Sequence, residues 1–263
     1  MSYPRIAITT FVLVAAMHTI GVANAADIRV MSSGSLKLAL NQLVPDFQKS
    51  SGNTVTIVYG PAGAITNLVR KGDAADVVIV SRAQLEGLES QGKVAHGSRV
   101  DIAGSALGVA VRKGAPKPDI SSVEAFKRTL LTARSIGYRD PSTGSLSGTY
   151  TAGMLERLGI AQELKPKIKL DRSEGDVPEN VFQALVSGEI EMQIGQISEI
   201  VISPDIDLVG PLPAEIQNVT WLAAGTVSTS KAHEAAEAFI SYISSTSAAA
   251  VFKTSGFEPS KKN

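Results

Sequence analysis

The chain has 263 residues, a length that suits one large domain or two lobes of ordinary size. Its 25 basic and 25 acidic side chains balance, which excludes a nucleic-acid or anionic-membrane partner held by bulk charge, so any preference for anions has to come from a local site. There is no cysteine, which excludes disulfides, thiolate metal sites and cysteine nucleophiles.

The first 25 residues predict an export signal. Arg5 supplies a basic start, residues 6–17 form an apolar run, and Ala23-Asn24-Ala25 gives the small-x-small pattern that a signal peptidase cuts. An uncleaved anchor is the alternative, but the apolar run is shorter than the roughly 20 residues that span a bilayer, and no basic cluster follows it. We therefore expect removal of residues 1–25 and a mature protein that is free in the periplasm.

From Asp27 onwards, short β-rich runs alternate with longer amphipathic ones. Strands are predicted at 28–31, 55–59 and 76–80, and each is followed by a small-residue loop and a helix. The third strand has almost no polar break, which is typical of a parallel strand covered on both faces. Strand, loop and helix repeated three times indicate a βαβ array.

A second unit of the same kind begins near Leu107. The further predicted elements are, in chain order, 107–111, 135–138, 150–158, 167–170, 180–186, 191–194, 219–225 and 232–243. Pro204, Pro211 and Pro213 mark extended connections. The predicted fold class is therefore α/β.

Four loops of small residues follow predicted strands and open helices: 32–35, 60–63, 81–82 and 143–148. In open α/β sheets, ligands bind at the carboxyl ends of the strands, and helix starts offer free N–H groups and a partial positive charge to an anion. Each loop alone is better explained by helix caps and turns, which are the commoner use of these residues, but four in one register favour an anion site. The candidate ligand-binding residues in these loops are Ser33, Ser35, Ala62, Gly63, Ser81, Arg82, Thr143, Ser145, Ser147 and Gly148.

Larger polar side chains in or next to these loops are further candidate hydrogen-bond donors to an anion. Arg139 ends a predicted strand and suits a bidentate contact with a carboxylate, with an ion pair to Asp140 as the alternative. Arg82 has the same two interpretations. Lys37, in the first turn of a helix, opposes the helix dipole unless an anion lies nearby. Gln196, at a strand end, is a further candidate donor of amide hydrogens to a ligand.

Motifs for common catalytic sites do not occur in the sequence. It contains no nucleophile elbow, Walker loop or His-Glu-x-x-His zinc motif. His96 and His233 have no partner histidine at metal-binding spacing. We therefore expect no metal and no cofactor.

Four segments carry a resemblance to a known family: Ser33-Gly34-Ser35-Leu36, Ala74-Ala75-Asp76-Val77, Asp140-Pro141 with Ser147-Gly148, and Lys253-Thr254-Ser255-Gly256-Phe257. With them the chain resembles the periplasmic molybdate-binding proteins across nearly its whole length. The resemblance implies a periplasmic binding protein type II fold, in which two lobes, each a mostly parallel sheet flanked by helices, close on a ligand in the cleft between them. We place lobe I at 26–105 and 214–263, lobe II at 106–213, and the two crossings near 104–107 and 204–213.

The resemblance also bears on the ligand. The family's oxyanion pocket uses a hydroxyl at the position of Ser35, which this chain keeps. A second serine of that pocket is replaced by the segment Pro61-Ala62-Gly63, and a tyrosine of the second lobe by Gln196. These departures favour a larger organic anion that carries carboxylates over molybdate.

The fold is also similar to that of periplasmic aconitate isomerase, an enzyme on the same scaffold. That resemblance implies a tricarboxylate clamped by Arg82 and Arg139 and a proton moved by Glu174 or Asp140, with Tyr138 as a remoter choice. For Glu174, in a predicted loop, plain solvent exposure is the alternative.

Three functions therefore stay open. The first is a receptor that delivers an organic anion to an ABC-transporter permease, the second is a tricarboxylate isomerase, and the third is a molybdate or tungstate receptor. Each is a monomer with a small anion as its partner. All three require Ser35, Ala62 and Ser147 to face one cleft.

Overall fold

The computed structural model describes residues 25–172 and 181–260, which form ten strands and ten α-helices. The strands are β1 Asp27–Ser33, β2 Thr54–Gly60, β3 Val77–Ser81, β4 Val100–Arg112, β5 Ile136–Arg139, β6 Ile168–Asp171, β7 Met192–Gln196, β8 Ile206–Pro211, β9 Val219–Thr226 and β10 Glu258–Pro259. The helices are α1 Lys37–Ser51, α2 Ala62–Lys71, α3 Arg82–Ser90, α4 Val123–Thr132, α5 Leu146–Arg157, α6 Ala161–Leu164, α7 Val181–Ser187, α8 Ile197–Ile200, α9 His233–Ile243 and α10 Thr246–Thr254.

Local sequence explains most of these elements. The β-branched strand β3 is buried along all five residues, because helices cover both of its faces. In α1 the buried residues Leu40, Leu43 and Phe47 recur at helical spacing, and the left-handed Gly52 ends the helix.

The strands form one mixed sheet in the order β2-β1-β3-β9-β4-β7-β5-β6, with β8 and β10 also paired to β4. Strands β1, β2 and β3 are mutually parallel, and so are β5, β6 and β7. Both β3 and β4 run antiparallel to β9, while β7 runs antiparallel to β4. The carboxyl ends of β1–β3 therefore point towards those of β5–β7.

The long strand β4 joins the two halves of this sheet. Its residues 100–106 pair with β9, and its residues 107–112 pair with β7 and β8. A separate apolar core lies on each half: one contains Phe47 and Phe239, and the other contains Phe126 and Met154. The two halves of the sheet, each with its own core and flanking helices, form the expected two-lobed α/β fold, and the division at 105/106 stays our proposal for the boundary.

The predicted lobes were mostly parallel, and each contains a set of parallel strands together with antiparallel ones, which are β9 and β10 in the first lobe and β4 in the second. One detail differs from the sequence prediction. The segment predicted as the second crossing contains β8, which pairs with β4, so the chain returns to the first lobe after Pro211. Gln217 ties this return to the first crossing, since its side chain accepts from Leu107 N at 2.9 Å and donates to Leu107 O at 3.0 Å.

Candidate functional site

A cleft of about 750 Å³ opens where the carboxyl ends of the two sets of parallel strands face each other. The first lobe contributes the segments that follow β1 and β2, and the second lobe contributes those that follow β5 and β7. Ser35, Ala62 and Ser147 all line this cleft, as the anion hypothesis requires. The other predicted site residues in its lining are Ser33, Arg139, Thr143, Ser145 and Gln196.

On the first-lobe side, two helix starts reach the cleft. A 3₁₀ turn at Gly34–Leu36 leads into α1, and the hydroxyls of Ser33 and Ser35 lie 3.1 Å apart. Ser33 and Pro61 stand at the N-cap positions of the turn and of α2, and neither side chain caps its helix. The first N–H groups of both elements are therefore left to another acceptor, such as a ligand.

On the second-lobe side, α5 begins against the end of β5. Ser145 caps this helix by accepting from Gly148 N at 3.1 Å, and its hydroxyl lies 3.1 Å from that of Ser147. A Cβ atom at Gly148 would lie less than 3.0 Å from the carbonyl oxygen of Arg139, closer than such atoms come in proteins. Glycine at this position therefore lets the helix start come up against Arg139.

The charged residues of the described cleft lining are Lys37, Arg139 and Glu199. Arg139 keeps a quarter of its side chain exposed, and its Nε lies 3.9 Å from Oδ2 of Asp171, whose side chain is completely buried. Glu199 is the third residue of α8 and is partly exposed at the cleft. Burial raises the pKa of Glu199, Asp171 raises it further, and Arg139 opposes the shift.

The rest of the lining supplies one phenol and an apolar wall. Tyr59 donates to Asn41 Oδ1 at 3.0 Å, and burial raises its pKa to about 12, so the phenol keeps its proton at neutral pH. The apolar side chains of the lining are Leu146, Phe182, Ile202 and Leu222. The cleft thus combines hydroxyl and N–H donors with surface that suits a carbon skeleton.

Comparison with known proteins now identifies the family. A family model described as bacterial extracellular solute-binding protein matches residues 28–258. The chain belongs to this family. The solute-binding protein is 35% identical to an aconitate isomerase from a Pseudomonas species over 240 residues, covering 88% of this chain and 87% of that one. It is 23% identical to the molybdate-binding protein ModA of Azotobacter vinelandii, covering 89% and 91% of the two chains.

The solved structure of the periplasmic molybdate-binding protein of Azotobacter vinelandii superimposes on this solute-binding protein with a TM-score of 0.70. The match covers 89% of this chain and 100% of that one at 20% sequence identity. These findings confirm the predicted family and the type II fold. Within residues 25–172 and 181–260, no helix is long and apolar enough to cross a membrane.

Two predicted site residues of the solute-binding protein, Ser81 and Arg82, lie outside the lining of this cleft. Ser81 is buried and forms a capping box with Gln84 at the start of α3. Arg82 pairs through two nitrogens with Asp101 and lies over the ring of Trp221 at 5.9 Å. The structure gives both residues structural partners, so we leave them out of the proposed site.

The two predicted glycines, Gly63 and Gly148, also stand behind the lining rather than in it. Gly63 is the second residue of α2, next to Ala62, and a Cβ there would meet no atom within 4 Å. Gly148 acts through its small size, as described above. Neither has a side chain to offer a ligand.

Of the three residues that were predicted as possible bases, the structure describes Asp140 and Tyr138. Asp140 does not line the cleft: it accepts from Arg172 Nε at 2.7 Å and from Ser142 N at 2.8 Å. These hydrogen bonds lower the pKa of Asp140 to about 2, which makes it a poor proton acceptor. Tyr138 is buried in the second core. Glu174 lies outside the described residues.

The sequence did not predict several residues of the lining, among them Glu199, Tyr59, Gln183, Ser203 and Thr220. Tyr59 directly precedes the predicted loop at 60–63, so the strand-end rule was one residue too narrow there. Glu199 follows Gln196 by three residues, in the helix that the end of β7 opens. Applying the same rule to β7 would have found it.

Proposed function

We propose that this solute-binding protein closes on a small organic polycarboxylate in the cleft between its lobes. The observation that carries the proposal is the composition of the cleft: hydroxyls of both lobes and uncapped helix starts of the first lobe line the same cleft as Arg139. An arginine fork binds a carboxylate bidentately, and helix starts bind a second anionic group without any net charge on the protein.

The size and the walls of the cleft favour an organic anion over an inorganic one. A volume of about 750 Å³ lies within the range of roughly 300–1,000 Å³ that is typical of small-molecule sites. A tetrahedral oxyanion needs donors packed closely around it and has no carbon to place against Leu146, Phe182 and Leu222. The segment Pro61-Ala62-Gly63, where the resemblance to the molybdate-binding proteins implies a serine, has no side-chain donor to offer such an anion.

A ligand screen tests the proposal. The mature chain is mixed with citrate, cis- and trans-aconitate, succinate, molybdate, tungstate and sulfate, and its thermal unfolding is followed. A ligand at 100 times its Kd stabilises the fold by about 2.7 kcal/mol, so a carboxylate that binds raises the Tm. A rise with molybdate and with none of the carboxylates would refute the proposed ligand class.

In this proposal the protein is exported, loses residues 1–25, and works in the periplasm as a monomer that delivers its anion to an ABC-transporter permease. The apolar run and the Ala23-Asn24-Ala25 pattern support export. N-terminal sequencing of the protein from a periplasmic extract tests it. We expect the mature chain to begin at Ala26, and a chain that keeps residues 1–25 would contradict the export proposal.

Isomerisation of a tricarboxylate is the second candidate function. It is favoured by the 35% identity to an aconitate isomerase over nearly the whole of both chains, together with the carboxylate of Glu199 in the cleft. An ionised acidic side chain would repel a bound carboxylate, so its presence among the donors favours a role in proton transfer. Proton NMR of the protein mixed with trans-aconitate separates the two functions, because only the isomerase converts the compound.

A further inference from the structure

We propose that Glu199 takes a proton from a carbon of the bound polycarboxylate and returns it to another carbon of the same molecule. This inference rests on the second candidate function and adds the residue that performs it. It replaces the two bases expected from the sequence, of which Asp140 does not line the cleft.

The place of Glu199 in the fold is the first argument. It lies in α8, directly after β7 ends at Gln196, and both residues line the cleft. Helix α8 also lies against the 3₁₀ turn Gly34–Leu36 of the first lobe. Glu199 thus lies on a second-lobe helix that contacts the turn carrying Ser35, and both residues line the cleft in which a bound anion would meet both lobes.

The second argument is that α8 is held firmly. The hydroxyl oxygens of Ser198 and of Ser105 in β4 form a buried hydrogen bond of 2.8 Å. Gly256, beyond α10, approaches so closely that a Cβ there would lie 3.0 Å from Ser198 Cα and 2.7 Å from a side-chain atom of Val201. A proton-transferring group has to be held at a fixed distance from carbon, and these two contacts fix the helix that carries Glu199.

The electrostatic surroundings of Glu199 form the third argument. Arg139 from β5 and Asp171 from β6 interact electrostatically with it, and Lys37 from α1 and Tyr59 from β2 are the other titratable groups of the described cleft lining. Burial and Asp171 together raise its pKa, against the pull of Arg139. A carboxyl whose pKa is raised is a stronger base when it is ionised, and it can still release its proton afterwards.

The reaction balances without any further reactant. Glu199, as a carboxylate, takes a proton from a methylene carbon next to the carbon–carbon double bond of the substrate. The electron pair of the broken C–H bond forms a new double bond, and the old double bond shifts its pair to the far carbon, which takes the proton back from Glu199. Between the two steps, negative charge spreads onto a substrate carboxylate, which the Arg139 guanidinium and the helix-start N–H groups would stabilise.

The other groups near the cleft are less suited to this role. Asp171 has a completely buried side chain beneath Arg139. Tyr59 holds its proton at neutral pH, because its pKa is raised to about 12. Among the described residues that line the cleft, Glu199 is the only carboxylate.

The test compares the mature wild-type chain with Glu199→Gln in D₂O, with trans-aconitate as the probe. NMR follows both the appearance of the other isomer and the uptake of deuterium at carbon, and calorimetry measures binding. We expect Glu199→Gln to bind within about threefold of the wild type, because the amide fills the same space, and to lose deuterium uptake by about 100-fold or more. The wild-type rate should rise with pH as Glu199 ionises.

Two variants serve as controls. Glu237→Gln removes an exposed carboxylate of α9, outside the cleft lining, and should exchange deuterium like the wild type. Glu199→Asp keeps the carboxylate but withdraws it by one methylene, and should retain the fold with a reduced rate. It keeps the proposal testable if Glu199→Gln does not fold, since an undiminished rate in Glu199→Asp would overturn it.

Each remaining outcome decides between the proposals. If no polycarboxylate binds the wild type, the proposed function itself fails. If the wild type binds trans-aconitate without deuterium uptake, the receptor function stands and the role of Glu199 is overturned. Full exchange by Glu199→Gln, loss of binding in a folded Glu199→Gln, or loss of exchange in Glu174→Gln alone would also overturn it.

Discussion

Replacing Arg139 by lysine separates ligand binding from folding. Arginine offers a planar fork of donors, whereas lysine is a point charge that reaches one acceptor at a time. Lysine keeps a positive charge above the buried Asp171, whose Oδ2 lies 3.9 Å from Arg139 Nε. Alanine would instead remove the charge partner of that buried carboxylate and destabilise the fold, which would confuse the two effects.

The magnitude follows from the loss of one hydrogen bond to a charged group. Such a bond contributes about 1.5–3 kcal/mol, and about 1.4 kcal/mol corresponds to a factor of ten in Kd. We therefore expect Arg139→Lys to weaken the binding of a polycarboxylate roughly 10- to 150-fold. The free energy of unfolding should change by less than about 1 kcal/mol, since the charge stays in place.

Titration calorimetry with the best carboxylate of the screen measures the Kd, and urea unfolding without ligand measures the stability. Arg99→Lys is the matched control: Arg99 also pairs with a carboxylate, that of Glu86, but at an exposed position outside the cleft lining. Its affinity should equal that of the wild type. An unchanged Kd in Arg139→Lys, or a loss of affinity no larger than the loss of stability, would refute the role given to Arg139.

Three further predictions concern the scaffold and its response to pH. Gly148→Ala should destabilise the fold by about 1–3 kcal/mol in urea unfolding, because the added methyl group would clash with the backbone carbonyl oxygen of Arg139. The control Gly153→Ala, in the same helix, should be neutral or slightly stabilising, because the nearest atom belongs to the flexible side chain of Arg157. Hydrogen bonds from Arg172 and Ser142 N lower the pKa of Asp140 to about 2. The ionised Asp140 therefore stabilises the fold above its ordinary pKa of about 3.9, and this contribution to the free energy of unfolding disappears as the pH falls from about 4 to about 2. Asp140→Asn should therefore flatten the loss of Tm across that interval, and an unchanged acid limb would contradict the assignment. Ser81→Ala should lower the free energy of unfolding by about 1 kcal/mol, because the capping box is lost. It should not alter the Kd for the ligand, and a larger Kd would show that Ser81 contributes to ligand binding.

The fold could be predicted from sequence because its signals are local. Apolar runs with few polar breaks predicted the strands, and helical spacing of apolar residues such as Leu40 and Phe47 predicted the helices. Their alternation indicated an α/β fold, while the two-lobed arrangement was implied by the resemblance to the molybdate-binding proteins. Strand β8 was missed, because Pro211 at its end and the flanking Pro204 and Pro213 suggested an extended connection. Its pairing partners in β4 also lie about a hundred residues earlier in the chain.

The site could be predicted only in outline. The rule that strand ends face the ligand correctly selected Ser35, Ala62 and Ser147 as residues of one cleft. It also selected Arg82, because nothing in the sequence shows that Asp101, nineteen residues later, pairs with it. The raised pKa of Glu199 depends on burial and on neighbours from two other strands, and neither is visible before the chain is folded.

The sheet order has a consequence for how this protein is made. Strand β9, from the last fifth of the chain, lies between β3 and β4, so the first lobe has a gap at its centre until that segment arrives. Domains generally fold from the N-terminus as the chain emerges, but here the earliest segment must wait for one of the latest. A nascent chain that ends before β9 therefore lacks the strand between β3 and β4, together with the cleft-lining residues Thr220 and Leu222, so the first-lobe wall of the cleft is completed only by one of the last segments to be made.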